Sequence, residues 1–84
     1  MIKQDTFKKI KENIISGELN KAFDLLLNSL DKSSEQFNAL VSLKRQYIVL
    51  QEDNNTGKIS EDSYRIDINR VTSNLLNVIR ELED

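Results

Sequence analysis

The strongest constraint on this chain is its near lack of residues that end helices. Proline does not occur among the 84 residues, and the only glycines are Gly17 and Gly57. Proline and glycine are the residues that most often interrupt regular structure, so a helical pattern can continue here over long stretches. The two glycines therefore predict the points at which helices stop, because glycine adopts the left-handed backbone conformation that commonly follows a helix.

Apolar residues at helical spacing predict two short helices in the first part of the chain. The first covers about Thr6 to Ser16, with Asp5 or Thr6 as its N-cap, and the second covers about Glu18 to Leu30. Leu25 falls on the face of the second helix opposite to its apolar stripe. The predicted stripes are Phe7, Ile10 and Ile14 in the first helix and Leu19, Phe23, Leu26, Leu27 and Leu30 in the second.

The third predicted helix is more apolar around its circumference than the first two. Ser33 and Gln36 form the sequence pattern of a capping box, which predicts that this helix begins there. Three further apolar residues widen its seam to about half the circumference, so we expect this helix to contact two neighbours and to be the centre of the fold. The seam is Leu40, Leu43, Tyr47 and Leu50, and the widening residues are Phe37, Val41 and Ile48.

A fourth helix is predicted after Gly57, with Ser60 as its N-cap. Its apolar residues alternate at spacings of four and three over some twenty residues, a pattern that requires a long antiparallel partner. The third helix is that partner. Residues 1–84 are therefore expected to form one all-α domain, a compact antiparallel bundle of about four helices with a long helix 3/helix 4 hairpin. The seam of the fourth helix is Tyr64, Ile68, Val71, Leu75, Val78 and Leu82.

The composition excludes several classes of function. The chain has no histidine and no cysteine, which removes the commonest general base, the commonest metal ligand and any disulfide or zinc-thiolate site. Its net charge of -2 argues against nucleic-acid binding, which depends on a basic surplus. Residues 1–45 carry eight basic and six acidic residues, and residues 46–84 carry four and eight, so we expect one basic side and one acidic side.

Two features favour a soluble, cytoplasmic protein. No apolar run approaches the roughly 18 to 20 residues that span a bilayer, and the N-terminus lacks the apolar stretch of a signal peptide. Lysines accompany apolar residues in the first helix, a pattern that also occurs in helices lying on anionic membranes. Asp5 and Glu12 dilute that charge, so the preferred interpretation is a bundle helix with a solvated rim.

Two local patterns imitate binding motifs. Residues 52–63 imitate a calcium loop, but Glu52 replaces the usual first aspartate and Ser63 replaces the bidentate glutamate, which favours a capped turn between helices. Gly57-Lys58 lacks the glycine that a phosphate loop has five positions earlier, where Glu52 stands, and the Ser or Thr that follows the lysine. We therefore expect no catalytic, cofactor-binding or metal-binding residues, no small-molecule substrate, and no enzyme activity.

A surface for a protein partner is the remaining possibility. Three apolar residues point away from the predicted seams, and two of them, Val49 and Ile66, lie at similar distances from the turn at Gly57 and could form one patch. An alternative of equal weight is that other parts of the protein cover them. Two arginines also project from the outer side of the fourth helix, where Glu61 to Arg65 and Asp67 to Arg70 are expected to form ordinary same-helix pairs. The candidate partner-binding residues are Lys8, Lys9, Lys11, Leu25, Val49, Arg65, Ile66 and Arg70.

Several residues in order along the chain resemble a known family. They are Gly17-Glu18-Leu19, Ala22, Leu25 to Leu27, Gln46-Tyr47, Leu50, Gly57-Lys58-Ile59-Ser60, Tyr64, Asn69-Arg70 and Leu75-Leu76. This chain resembles a bacterial effector-associated domain of the eleventh class, a group also described as bacterial death-like domains. The resemblance covers about Ile10 to Leu82, and its most specific part lies between residues 57 and 70.

The resemblance implies a non-catalytic adaptor domain that recruits or assembles effectors in bacterial conflict and defence systems. Its expected partners are domains of the same family, on other copies of itself or on an effector such as a protease or an NTPase. If the basic side of one copy meets the acidic side of the next, the contact is head-to-tail, it can propagate, and it weakens in salt. The alternative is a structural module that makes a closed helical dimer and recruits no effector.

Overall fold

A computed structural model of the chain describes residues 2–83, and it confirms the predicted all-α architecture. The helices are α1 (Gln4–Ile15), α2 (Leu19–Ser29), α3 (Glu35–Asn55) and α4 (Glu61–Glu83), and no strand occurs within the described range. Each helix packs on the next along the chain, and the α3–α4 pair makes the most extensive contact. The predicted long hairpin is therefore present, with α2 packed against α3 and α1 packed against α2.

Both glycines end helices, as predicted. Gly17 has a backbone φ of 81° and Gly57 a φ of 72°, the left-handed region that favours glycine. After each glycine, the amide of the next residue donates to a carbonyl five residues earlier, and both bonds are 2.8 Å long. This is the hydrogen bond of a Schellman motif, which satisfies a carbonyl that the end of the helix leaves unpaired.

The beginning of α1 differs from the prediction. The helix starts at Gln4, its N-cap is Lys3, and the cap makes no side-chain hydrogen bond. The Phe7 amide donates to the Lys3 carbonyl at 3.1 Å, so the helical bonding already includes Asp5 and Thr6. The prediction of an N-cap at either of these residues is wrong. Asp5 lies in the first turn instead, where a carboxylate interacts favourably with the helix dipole.

The N-cap of α3 is Ser34, one residue after the predicted Ser33. The Ser34 Oγ accepts a hydrogen bond from the Phe37 amide at 3.1 Å. Both the amide and the hydroxyl of Ser33 donate to Asp31 Oδ1, at 3.0 and 2.9 Å, which keeps Ser33 in the turn before the helix. These two bonds from Ser33 also lower the pKa of the Asp31 carboxyl.

The two long helices are fixed in register at the turn and near it. Ser60 is the N-cap of α4, as predicted, and its Oγ accepts from the Ser63 amide at 3.1 Å. Near the same end, the Gln51 amide nitrogen donates to the Tyr64 hydroxyl at 2.6 Å. Residue 51 of α3 therefore stands opposite residue 64 of α4. Because the helices are antiparallel, a residue a given number of positions before 51 lies level with the residue the same number of positions after 64.

All four helices contribute to a common apolar core. The rings of Phe23 and Tyr47 pack at 5.9 Å between centroids where α2 meets α3. On α4 the buried residue near the C-terminus is Ile79, which the predicted seam did not include, while Val78 is only partly buried. Ile48, expected to widen the seam of α3, is exposed. The core residues are Phe7, Ile10, Leu19, Ala22, Phe23, Leu26, Leu40, Leu43, Tyr47, Val71, Leu75 and Ile79.

Candidate functional site

A groove of about 510 Å³ runs along the outer side of the α3–α4 hairpin. We call it the hairpin groove. Every residue that lines it belongs to α3 or α4, so its shape depends on the packing of these two helices alone. The lining residues are Ser42, Arg45, Gln46, Val49, Leu50, Asp67, Arg70 and Val71.

Helical spacing explains how the hairpin groove forms. Ser42, Gln46 and Val49 are separated by four and three residues, so they share one flank of α3. Leu50 and Val71 belong to the facing seams, and Val71 is a buried core residue. The floor of the groove is therefore the edge of the core, while its rim consists of side chains that the core does not use.

The rim of the hairpin groove carries two unpaired cations. Arg45 and Arg70 are exposed, and no ion pair involves either of them within residues 2–83. The same-helix pair expected between Asp67 and Arg70 is thus absent from this part of the chain. Val49 lies on the same rim with 53% of its surface exposed. An exposed apolar side chain beside unpaired guanidinium groups is typical of a protein-binding surface, where arginine is enriched.

Val49 and Ile66, which the sequence placed in one candidate patch, differ in whether they line the hairpin groove. Both lie two residues further from the turn than the Gln51–Tyr64 bond, so they stand at the same level of the hairpin. Ile66 is 58% exposed, but only Val49 lines the hairpin groove. The two exposed side chains therefore differ in their surroundings, although they share the same height.

Leu25 does not face solvent as expected. It is partly buried and packs against the core, because α2 contacts both α1 and α3. A residue of α2 that lies opposite its main apolar stripe can therefore still pack against a neighbouring helix. Leu25 is thus a packing residue in this structure.

Two of the candidate basic residues already have partners within the chain. The Lys11 Nζ lies 2.8 Å from the Glu83 carboxylate, which ties α1 to the end of α4. Arg65 pairs with Asp62 at 2.8 Å and not with Glu61, the neighbour that the sequence suggested. Lys11 and Glu83 belong to the basic and acidic halves of the chain, so the two halves meet at this ion pair.

The candidate lysines Lys8 and Lys9 are exposed on α1. The apolar face of that helix, Phe7 and Ile10, is buried in the core. This agrees with the interpretation of α1 as a bundle helix with a solvated rim. No helix within residues 2–83 is long and apolar enough to cross a membrane.

Two exposed residues of interest were missed from the sequence. Arg45 is not among the candidate residues, although it lines the hairpin groove, while its neighbour Lys44 pairs with Asp24 on α2 at 3.0 Å. The signal was its spacing of four from Val49 on the flank away from the seam. Ile15 is the second: it follows the buried stripe of α1 and is 86% exposed.

The turn between α3 and α4 is a capped turn, as the sequence favoured over a calcium loop. Its hydrogen bonds join backbone groups, the Thr56 hydroxyl and the Ser60 cap. In the described part of the chain, no group of three or more acidic, histidine or cysteine side chains comes together in a way that could hold a metal ion.

Comparison with known proteins identifies one family. The model of effector-associated domain 11 matches residues 5–83, which is nearly the whole chain. The curated proteins give no match, and neither do the solved structures. The family match agrees with the residues that suggested the resemblance and with the all-helical fold. This chain belongs to the effector-associated domain 11 family.

Proposed function

We propose that this protein is a non-catalytic adaptor whose hairpin groove binds another protein domain and thereby recruits or assembles an effector in a bacterial defence system. The observation that carries the proposal is the groove itself, with exposed Val49 on the same rim as Arg45 and Arg70, which form no ion pair within residues 2–83. Membership of an effector-associated family supports a protein as the partner. We propose that the partner domain belongs to the same family.

The make-up of the hairpin groove supports a protein partner. Its floor is apolar, from Leu50 and Val71, and exposed Val49 stands with the polar groups on an open rim. Small-molecule sites instead enclose most of their ligand and converge a few polar groups upon it. An apolar floor with a charged rim is the arrangement that protein interfaces use, since the centre supplies burial and the rim supplies orientation.

The absence of enzyme activity is part of the same proposal. The sequence has no histidine or cysteine to act as general base, nucleophile or metal ligand. A binding module needs none of these groups. A cytoplasmic location is proposed with it, as the resemblance to adaptors of bacterial defence systems implies.

Site-specific photo-crosslinking in the cells that make the protein tests this function. A photo-reactive amino acid placed at position 49 lies in the hairpin groove, and the same amino acid at position 66 lies at the same height outside it. We expect position 49, and not position 66, to crosslink to a protein that carries another effector-associated domain. Equal crosslinking from both positions, or crosslinks at position 49 to copies of this chain alone, would contradict effector recruitment. The second result would favour self-association of this chain without recruitment of an effector.

A further inference from the structure

We propose that the hairpin groove of one copy binds the Ile15 corner of a second copy, so that the protein assembles head-to-tail. The Ile15 corner is defined as the end of α1 around Ile15 and Glu12. This inference rests on the proposed function, and it names the partner as this same chain. It differs from a contact made by the α1 lysines, because Arg45 and Arg70 supply the positive charge.

The Ile15 corner has the form of a knob. Ile15 is 86% exposed, the most exposed large apolar side chain in the described part of the molecule. Glu12 lies one turn before it on the same helix and is exposed, and no ion pair involves Glu12 within residues 2–83. An apolar side chain held in water beside an unpaired carboxylate is a surface that gains from an apolar, positively charged partner.

The hairpin groove has the complementary chemistry. Val49 offers an apolar contact, and Arg45 and Arg70 offer two guanidinium groups to a carboxylate. An arginine binds a carboxylate through paired N–H donors, which fixes orientation as well as adding energy. Seating Ile15 on Val49 removes two exposed apolar side chains from water and brings Glu12 towards the unpaired arginines.

A closed two-fold dimer through the same groove is less favourable. In such a contact the surface of one copy meets the same surface of the other, which would bring Arg45 and Arg70 against their own counterparts. Only Asp67 offers a carboxylate on that rim. The Ile15 corner, by contrast, lies on α1, and the groove is lined by α3 and α4 alone. Each copy can therefore use both surfaces at once, which is the condition for an open chain.

Two variants of the full chain separate the two surfaces. Ile15→Ser removes the knob and leaves the groove intact, and Val49→Glu blocks the groove and leaves the knob intact. Ile66→Glu is the matched control, because Ile66 is exposed to a similar extent at the same level of the hairpin but lies outside the groove. Circular dichroism at the assay concentrations is the control that checks whether each variant retains its fold.

Sedimentation velocity of the purified protein over a wide concentration range is the measurement. We expect the wild-type mass to grow beyond a dimer with concentration and to fall with added salt. Each of Ile15→Ser and Val49→Glu should weaken self-association at least about tenfold, the effect of losing an anchor residue, whereas Ile66→Glu should not. An equimolar mixture of Ile15→Ser and Val49→Glu should form a one-to-one pair and nothing larger, because only one intact knob and one intact groove remain.

Several outcomes would overturn the head-to-tail contact: a wild-type protein that stays monomeric, a mixture of the two variants that does not pair, or equal loss with Ile66→Glu. These outcomes are distinct from failure of the adaptor function. A monomeric protein that still crosslinks from position 49 to another effector-associated domain would refute self-assembly and leave recruitment standing. A protein that assembles but gives no crosslink to a different protein would support self-assembly and refute recruitment.

Discussion

The orientation of α4 about its own axis can be tested with two adjacent leucines. Leu75 is fully buried, while Leu76 has 37% of its surface exposed. Successive residues of a helix point about 100° apart, so the same substitution at these two positions reports which direction faces the core. The comparison is closely matched, because both changes are Leu→Ala in the middle of one helix and have the same effect on helix propensity.

The magnitudes follow from burial. Leu→Ala removes about three buried carbon groups at position 75, which costs roughly 2.4 kcal/mol in transfer free energy, and the cavity left behind brings the total to about 3–4 kcal/mol. At position 76 the side chain is only about two thirds buried, so about two thirds of the transfer free energy is lost, and water can fill the space that the leucine leaves. The expected loss of stability is therefore about 1–1.5 kcal/mol. Stability near 0.1 kcal/mol per residue gives about 8 kcal/mol for the whole chain, so both variants should still fold.

Urea unfolding followed by far-ultraviolet circular dichroism measures both losses, with the free energy of unfolding extrapolated to water. We expect Leu75→Ala to lose about 2 kcal/mol more stability than Leu76→Ala. Equal losses, or a larger loss at Leu76, would show that α4 is rotated from the orientation described. In that case Ile79 would not belong to the core, and Arg70 would not lie on the rim of the hairpin groove.

Three further predictions concern the turns and the core tyrosine. Ser34→Ala should cost about 1 kcal/mol of stability in urea unfolding, because it removes the α3 cap, while Ser33→Ala should cost clearly less; the reverse order would restore the capping box predicted from sequence. Gly57→Ala should lower the free energy of unfolding by about 1 kcal/mol, because alanine is strained at a positive φ, although the added methyl meets no neighbour. Gly57→Asn should lower it less, because asparagine adopts this conformation more readily. An alanine variant with unchanged stability would contradict the positive φ. Burial, with a smaller contribution from the nearby Tyr64, raises the pKa of Tyr47 in the folded protein. The neutral Tyr47 hydroxyl therefore stabilises the fold fully below the ordinary tyrosine pKa of about 10. This stabilisation is lost as the pH rises through the pKa that Tyr47 has in the folded protein. Tyrosinate absorbance of the Tyr64→Phe variant should therefore show Tyr47 ionising above the ordinary value, and ionisation at that value would contradict its burial.

The fold could be predicted from the sequence because its main signals are local. Two glycines in a chain without proline mark two helix ends, and long stripes of apolar residues mark the hairpin. The errors are also local in origin. A strict alternation of spacings four and three selected Val78 on α4, whereas spacings of four from Val71 to Leu75 and then to Ile79 give the observed core. Such choices depend on where the neighbouring helix lies, which the sequence of one helix does not state.

The candidate site could be predicted only in part. Val49 and Arg70 were identified because they lie outside the seams, and the structure places both on the hairpin groove. Arg45 was missed because the partner of its neighbour Lys44 is on another helix. Lys11 was included although it pairs with Glu83, 72 positions away in the chain. Whether a surface charge is paired depends on such long-range contacts, and a pattern within one helix does not contain them.

The floor and the rim of the hairpin groove affect the protein in different ways. Leu50 and Val71 form the floor and also pack in or against the core, so a change there alters stability and groove shape together. Arg45 and Val49 stand on the rim, where exposed substitutions usually change stability by less than about 0.5 kcal/mol. The rim can therefore vary between related chains without loss of the fold, while the floor keeps the two helices at a fixed spacing. This division predicts that partner choice is encoded in the rim, so exchanging Arg45 and Arg70 for glutamates should repel Glu12 of a second copy while leaving the unfolding free energy nearly unchanged. Loss of stability together with loss of binding would show that the rim arginines hold the hairpin together, and that the surface and the fold are not separable.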